Sequence, residues 1–333
     1  ALTIADYMGT NLPGVSVVET QGNPFQPDVR FHGFSASSLL GAPQGLSVYV
    51  DGVRVNEPFG DVVSWDLIQM NSIKQMQLVP GTNPVYGLNT LGGAIAVETK
   101  RGRNSKGGEF EISGGSWGRK NSQFEYGGVT KDGHDYFFAA NYFDENGWRD
   151  ASPTTVKQVF GQFGWQDSKT DLSMTISLAD SNMTGNGLVP LEMMKSLGRT
   201  AVYTKPDETN NRMAAFNLKG SRVLSETQLL VGNLYYRDVT TKTFNGDLND
   251  SVEEQGSGTY SWSTDTTNAS TTTATAHANQ SIDGIANFQA ACIAGSGTNI
   301  DNGKSNSRLT GNVNQRSGNI FTGGSETFCS GVL

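Results

Sequence analysis

The sequence is short of apolar residues, of charge, of cysteine and of long hydrophobic runs. Only 36% of its 333 residues are hydrophobic and 17% are charged. Basic residues are in deficit: 24 Lys and Arg stand against 32 Asp and Glu, a net charge of −8. A nucleic-acid partner needs a basic footprint, so none is expected. No stretch of 18 apolar residues occurs, which excludes a membrane-spanning helix. A membrane barrel is not excluded, because each of its strands needs only about 9 to 11 alternating residues. The opening "ALTIADYMGTNLPGVSV" lacks the basic and apolar regions of a signal peptide.

Metal-ligand clusters are also missing. His32, His134 and His277 are scattered and no CxxC occurs, so neither a metal site nor a cofactor is expected. Cys292 and Cys329 are the only cysteines and lie in a polar, Gly-rich tract. A disulfide closing a long loop is the expectation in an oxidising compartment, with two free thiols as the alternative. There is no HExxH and no nucleotide-binding motif, and acidic pairs such as Asp144-Glu145 lie in loops where solvation is the default. No catalytic residue is assigned.

Glycine, by contrast, is abundant: 41 residues, about 12% where about 7% is usual. The stretch "PGTNPVYGLNTLGGAIAVETK" at 80–100 places Gly81, Gly87, Gly92 and Gly93 ahead of an alternating segment. No helix start and no G-x-x-x-x-G-K-[ST] follows, so these glycines read as turn-makers and not as a phosphate cradle.

The first hundred residues read as a small α+β domain. A helix over 4–8 is stopped by Gly9 and Pro13, and a strand follows at 15–19. "LSVYVDGVRV" is two apolar runs around Asp51-Gly52, a strong hairpin signal. "SWDLIQM" opens a helix at Ser64, and "IKQMQLVPG" alternates from Ile73.

After Lys100 segments of about ten alternating residues succeed one another. Seven are expected, at 109–115, 122–129, 135–144, 157–166, 171–180, 212–220 and 227–237. In "DLSMTISLAD", Leu172, Met174, Ile176 and Leu178 share one face and Asp171, Ser173, Thr175 and Ser177 the other. Short turns alternate with long connections, the polarity of an outer-membrane barrel with its short turns on the periplasmic side. Residues 238–333 then begin at the outer surface and read as one long loop. Seven strands make an open arc with two bare edges, so the chain reads as a fragment.

Several spaced motifs now resemble one family. They are the corner His32-Gly33-Phe34 with Arg30 two residues earlier, the hairpin at 49–53 around Asp51 and Gly52, and the turn and strand at 80–95 with Gly92 and Gly93. In this order they resemble the plug domain of TonB-dependent outer-membrane receptors. His32 stands where that family usually has Arg. The implied fold is an α+β plug domain followed by antiparallel transmembrane β-barrel strands, an incomplete part of a barrel of about 22 strands. The implied division is a plug at 1–103, wall strands at 104–237 and an outer segment at 238–333.

The implied function is TonB-energised uptake of a scarce ligand in the outer membrane, with a ferric siderophore first and cobalamin or carbohydrate as runners-up. A passive porin or a surface adhesin is the alternative from another class. The implied partners are the TonB complex of the inner membrane, outer-membrane lipid and the ligand. Two plug loops, 21–26 and 56–65, are implied to face outward, with Gln21, Asn23, Gln26, Asn56, Glu57, Phe59, Asp61 and Trp65 as candidate ligand contacts. For Trp65 a helix start, and for Phe59 simple packing, are the competing roles.

Overall fold

The computed structural model describes residues 3–42, 44–82, 84–87, 89–203 and 207–245, and the backbone of 252–254, 260–262, 306–316 and 319–329. Helix α1 (Ile4–Asn11) opens the N-terminal domain with a capping box, in which Thr3 and Asp6 each satisfy the other's backbone N–H. The helix runs through Gly9 instead of stopping there, and ends at Leu12, the residue before Pro13. Gly9 is tolerated because a Cβ there would lie 3.0 Å from Val17 of the strand below. Close packing outweighs the helix penalty of glycine.

Strands β1 (Val15–Val18), β2 (Asp28–Phe31) and β3 (Phe34–Ser37) form one antiparallel sheet. Strands β4 (Leu46–Val50), β5 (Val53–Arg54), β6 (Ile73–Pro80) and β7 (Gly93–Thr99) form another in the order β5-β4-β7-β6, with β4 and β7 parallel. The hairpin corners His32-Gly33 and Asp51-Gly52 both have positive φ, 51° and 85° in each case. That is the mirror-image turn that matches strand twist, and glycine in second place makes it cheap. Between the sheets lie Ile4, Met8, Val29, Val48, Val63, Trp65 and Ile95.

Gly92 and Gly93 explain the glycine-rich stretch. A Cβ on Gly92 would stand within 2.6 Å of Cδ2, Cβ and Cγ of Phe34, and one on Gly93, whose φ is 151°, would stand 2.5 Å from Val79 O. Any side chain at either position would push the corner off the end of β6.

The remaining strands form a second body: β8 (Gly107–Gly114), β9 (Lys120–Val129), β10 (His134–Glu145), β11 (Thr154–Gln166), β12 (Thr170–Thr184), β13 (Asp207–Ser225) and β14 (Gln228–Asn245). Each pairs antiparallel with the next in sequence. Short turns close one end, after β9, β11 and β13, and the other end carries the 146–153 and 185–206 connections, the latter with helix α2 (Leu191–Leu197). Residue 100 leaves the N-terminal domain at the short-turn end, where Lys100 pairs with Glu125.

A short hairpin, β15 (Val252–Glu254) with β16 (Tyr260–Trp262), follows. Strands β17 (Asn306–Arg316) and β18 (Asn319–Cys329) then join the large sheet, β17 lying on the upper half of β14. Part of the segment read as loop from 238 on is therefore strand. "NSRLTGNVNQR" carries little alternation, and backbone pairing to the open edge of β14 needs none. Cys292, and with it the Cys292–Cys329 pairing, lies outside the described residues.

Alternation along the large sheet is clear-cut. On β12, Leu172, Ile176 and Leu178 are exposed on one face, while Ser173, Thr175, Ala179, Ser181 and Met183 are buried on the other. The exposed face continues through Val159, Phe163, Phe138, Phe124, Leu218 and Leu234 as an apolar band. The buried face meets the N-terminal domain. Among the described residues no helix is long and apolar enough to cross a membrane.

Candidate functional site

The N-terminal domain is fastened to the inward face of the large sheet by polar contacts in tiers. At the short-turn end Arg101 donates to Asp135, at 3.1 and 3.2 Å, and to both oxygens of Asp171, at 2.8 and 3.0 Å. Arg103 joins Asp135 from the same side, and Gln162 bonds both Asp135 and the Gly102 N–H. One buried carboxylate thus receives two guanidinium groups and a carboxamide, a geometry that fixes where the chain leaves the domain.

Higher up, Asp51 accepts from Lys219 Nζ at 3.0 Å, and Asn217 donates to the Asp51 carbonyl. Glu57, 2% exposed, is held by Arg237 through two parallel bonds of 2.9 and 2.6 Å. Asp66 is fully buried and accepts from Ser181 Oγ at 2.6 Å and from Asn211 Nδ2 at 2.9 and 3.1 Å, while Gln158 donates to its carbonyl. Burial pushes the Asp66 carboxyl up to about 6, against the pull of the Ser181 and Asn211 hydrogen bonds, with the Glu57 charge adding to the rise. At the long-loop end Asn23 donates to Thr154 Oγ1 at 2.5 Å.

Above these contacts a cavity of about 140 Å³ opens between loops 21–26, 38–40 and 57–66 and the upper ends of β12, β13 and β14. Its polar lining includes Gln21, Gln26, Ser38, Ser64, Asn211 and Thr241. Beside it Arg149 is buried and gives its N–H groups to the carbonyls of Asn186, Gly187 and Ala201, with Trp148 beneath its guanidinium. Burial lowers its pKa. This cation clamps the 185–203 connection to the 146–153 connection.

The candidate contacts from the sequence divide. Gln21, Gln26 and Glu57 converge on the cavity, and Phe59 is 37% exposed on the neighbouring loop. Asp61 sits on that loop, paired with Arg54 at 2.8 Å and bonded by Asn89; burial raises its pKa. Trp65 does not offer a face outward. It is 2% exposed in a single 3-10 turn (Trp65–Leu67), its indole N–H donating to Ala36 O. Asn56 is likewise internal, bridging Val48 N–H and the Leu46 and Asp61 carbonyls. Asn23 joins the domain to the sheet. Arg30 is a surface residue beside Asp28, His32 stacks on Phe31 at 3.9 Å, and Phe34 packs on the glycine corner.

Sequence reasoning missed Asp66, which no local pattern distinguishes, and the wall residues Ser181, Asn211 and Arg237 that meet the domain. It also passed over Gly114-Gly115-Ser116-Trp117-Gly118, a G-x-S-x-G in letters. That run forms the tight turn between antiparallel β8 and β9 and not the strand-to-helix elbow the motif needs. Among the described residues no group of three or more His, Cys, Asp or Glu is placed to hold a metal ion.

A compact α+β domain clamped to the polar face of an antiparallel sheet, whose other face is an apolar band, defines a plugged barrel wall. Residues 1–94 match the family described as TonB-dependent Receptor Plug Domain. Over 182 residues it is 28% identical to the ferric aerobactin receptor of Klebsiella pneumoniae, covering 55% of this chain and 21% of that protein. Its fold superimposes on the ferric citrate transporter FecA in the unliganded form with a TM-score of 0.62 at 15% identity, over 74% of this chain and 39% of that one. The siderophore receptor PiuA from Acinetobacter baumannii gives 0.59 at 16% identity, over 75% and 36%. The chain thus spans about a fifth of the curated relative and under two-fifths of these structures.

Proposed function

We propose that this chain is the plug, taken as residues 1–103, and the beginning of the wall, from 104 on, of a Gram-negative outer-membrane receptor that imports a ferric siderophore, energised by the TonB complex. The observation that carries the reading is the plug itself, seated on the polar face of the wall through Arg101, Asp51, Glu57 and Asp66. A passive porin has no use for a domain that fills its lumen. The contacts are largely ion pairs and hydrogen bonds, beside two small apolar clusters where Phe25 and Leu67 meet the wall, and polar contacts of this kind are the ones that a pull from the periplasm breaks and re-forms. The apolar band faces outer-membrane lipid. Further strands close the wall, because bare strand edges are not tolerated in hydrocarbon.

The ferric cargo is supported by the relatives, two of which are named for ferric ligands and one for a siderophore. Ligand contacts are assigned to Gln21, Gln26 and Phe59 at the outer end, with Asn23, Asn56, Glu57 and Trp65 holding those loops in place. Neither the cargo nor the coupling calls for a catalytic residue or a resident cofactor. The test is uptake of radioactive ferric chelates by cells carrying the complete receptor, with and without TonB. The reading requires saturable uptake that disappears without TonB; uptake that persists without TonB would make the protein a passive channel.

A further inference from the structure

The cavity above Asp66 carries a statement about ligand chemistry that rests on the receptor reading. Its described lining holds two acids and no lysine or arginine. Glu57 is neutralised by Arg237, and Asp66 is occupied by Ser181 and Asn211. Arg149, the nearby buried cation, gives its N–H groups to three backbone carbonyls. An anionic group entering the cavity would meet two carboxylates, and no lysine or arginine is among its described lining residues.

The uncharged groups point the other way. Oε1 of Gln21 and Oε1 of Gln26 are both buried without a hydrogen-bond partner. Both converge beside Gly185, where a Cβ would run into them. Gln26 is 3% exposed. A buried acceptor left unpaired costs about 1 to 3 kcal/mol, so two side by side are a standing demand for donors. At the mouth Leu40 is 46% exposed, and a Cβ on Gly60 of the 57–61 loop would come within 2.8 Å of its Cδ2. The rim is apolar and the floor is polar. About 140 Å³ is the size of a cavity that holds one small ring.

We propose that this cavity is a subsite for one arm of an uncharged ligand, an arm that presents O–H or N–H donors to Gln21 and Gln26 and an apolar edge to Leu40. Two ligand sources share that chemistry, a neutral ferric trihydroxamate with amide N–H groups and a neutral oligosaccharide. A trianionic ferric tricatecholate does not.

The complete receptor in detergent micelles is titrated with each of these three probes. The same titrations are run on Gln21→Leu, Gln26→Leu, the double variant and Gly185→Ser, each retaining the β-sheet circular dichroism of the parent. The proposal expects a neutral probe to bind, the double variant to weaken it about tenfold or more, and Gly185→Ser, which fills the subsite, to weaken it as well. If the trihydroxamate behaves so, the subsite and the iron reading both stand. If only the oligosaccharide does, the subsite stands and the iron reading falls. Failure of both neutral probes to bind, tightest binding by the tricatecholate, or affinities indifferent to all four substitutions would overturn the subsite.

Discussion

The bond between Glu57 and Arg237 makes the sharpest demand on the account. Glu57 lies in the plug and Arg237 on β14, and their side chains are 2% and 15% exposed. The carboxylate takes two parallel bonds of 2.9 and 2.6 Å. Removing Glu57 leaves the Arg237 guanidinium without its carboxylate and with its Nε already unpaired. A buried pair broken from one side costs about 3 to 5 kcal/mol, mostly the price of the orphaned charge. Because Arg237 keeps some solvent contact, Glu57→Ala should fall at the lower end, about 3 kcal/mol, which is a little over a hundredfold in the population of the undocked plug. The assay is protease cleavage of the plug in the complete receptor in lipid vesicles, where the cleavage rate follows the open population. Glu57→Ala and Arg237→Ala should each speed cleavage by two orders of magnitude, and the double variant should be little worse than either. Single effects below threefold, or effects that simply add, would show that the pair does not hold the plug.

Other expectations follow from the same contacts. The Asp66 carboxyl is raised from 3.8 to about 6, so the docked state keeps a proton that the undocked state loses. Docking is therefore strongest below about pH 4 and weakens as pH rises through 6, by about 3 kcal/mol in all; Asp66→Asn should flatten that profile of protease resistance between pH 4 and 7, and an unchanged slope would contradict it. Ser181, Asn211 and the Glu57–Arg237 pair surround the group. Gly92→Ala drives a methyl into Phe34 and should cost about 1 to 3 kcal/mol, recovered in part by Phe34→Leu, as read by thermal unfolding of the plug. Ile176→Lys puts a charge on the apolar band and should destabilise the folded wall by about 2 to 4 kcal/mol in urea titrations in vesicles, while Thr175→Lys, on the plug side, should loosen the plug and spare the wall.

How much of this was legible beforehand depends on whether a residue's role is set locally. Period-two alternation fixes which side chains share a face, so the seven strands and the two faces of 171–180 could be read directly; the Asp51-Gly52 corner follows from turn chemistry, and the His32-Gly33 corner is carried by the family resemblance. The 19-residue length of β13 could not, since its extension before 212 is polar, the one after 220 is short, and both are held by backbone pairing to neighbouring strands. Trp65 is expected to offer its face outward because the family resemblance implies that loop 56–65 faces outward, with a helix start as its competing role. Whether it turns in or out is decided by the pocket under Ala36, which is made by residues thirty positions away. Asp66 is one acid among 32 acidic residues until Ser181 and Asn211 close on it from two wall strands. Asn23 and Asn56 resemble ligand-contact chemistry for the same reason that they serve as braces, their carboxamides both giving and accepting hydrogen bonds.

The central claim is that residues 107–245 are a membrane wall with the plug on one face and lipid on the other. Single nitroxide labels at positions 175 and 176 of β12, in the complete receptor in bilayers, test it most directly. The account predicts that label 176 is relaxed by oxygen dissolved in the lipid and ignores a water-soluble quencher, while label 175, turned toward the plug, is immobilised and shielded from both. Equal access of the water-soluble quencher to both labels, or lipid exposure at 175 and not at 176, would contradict it.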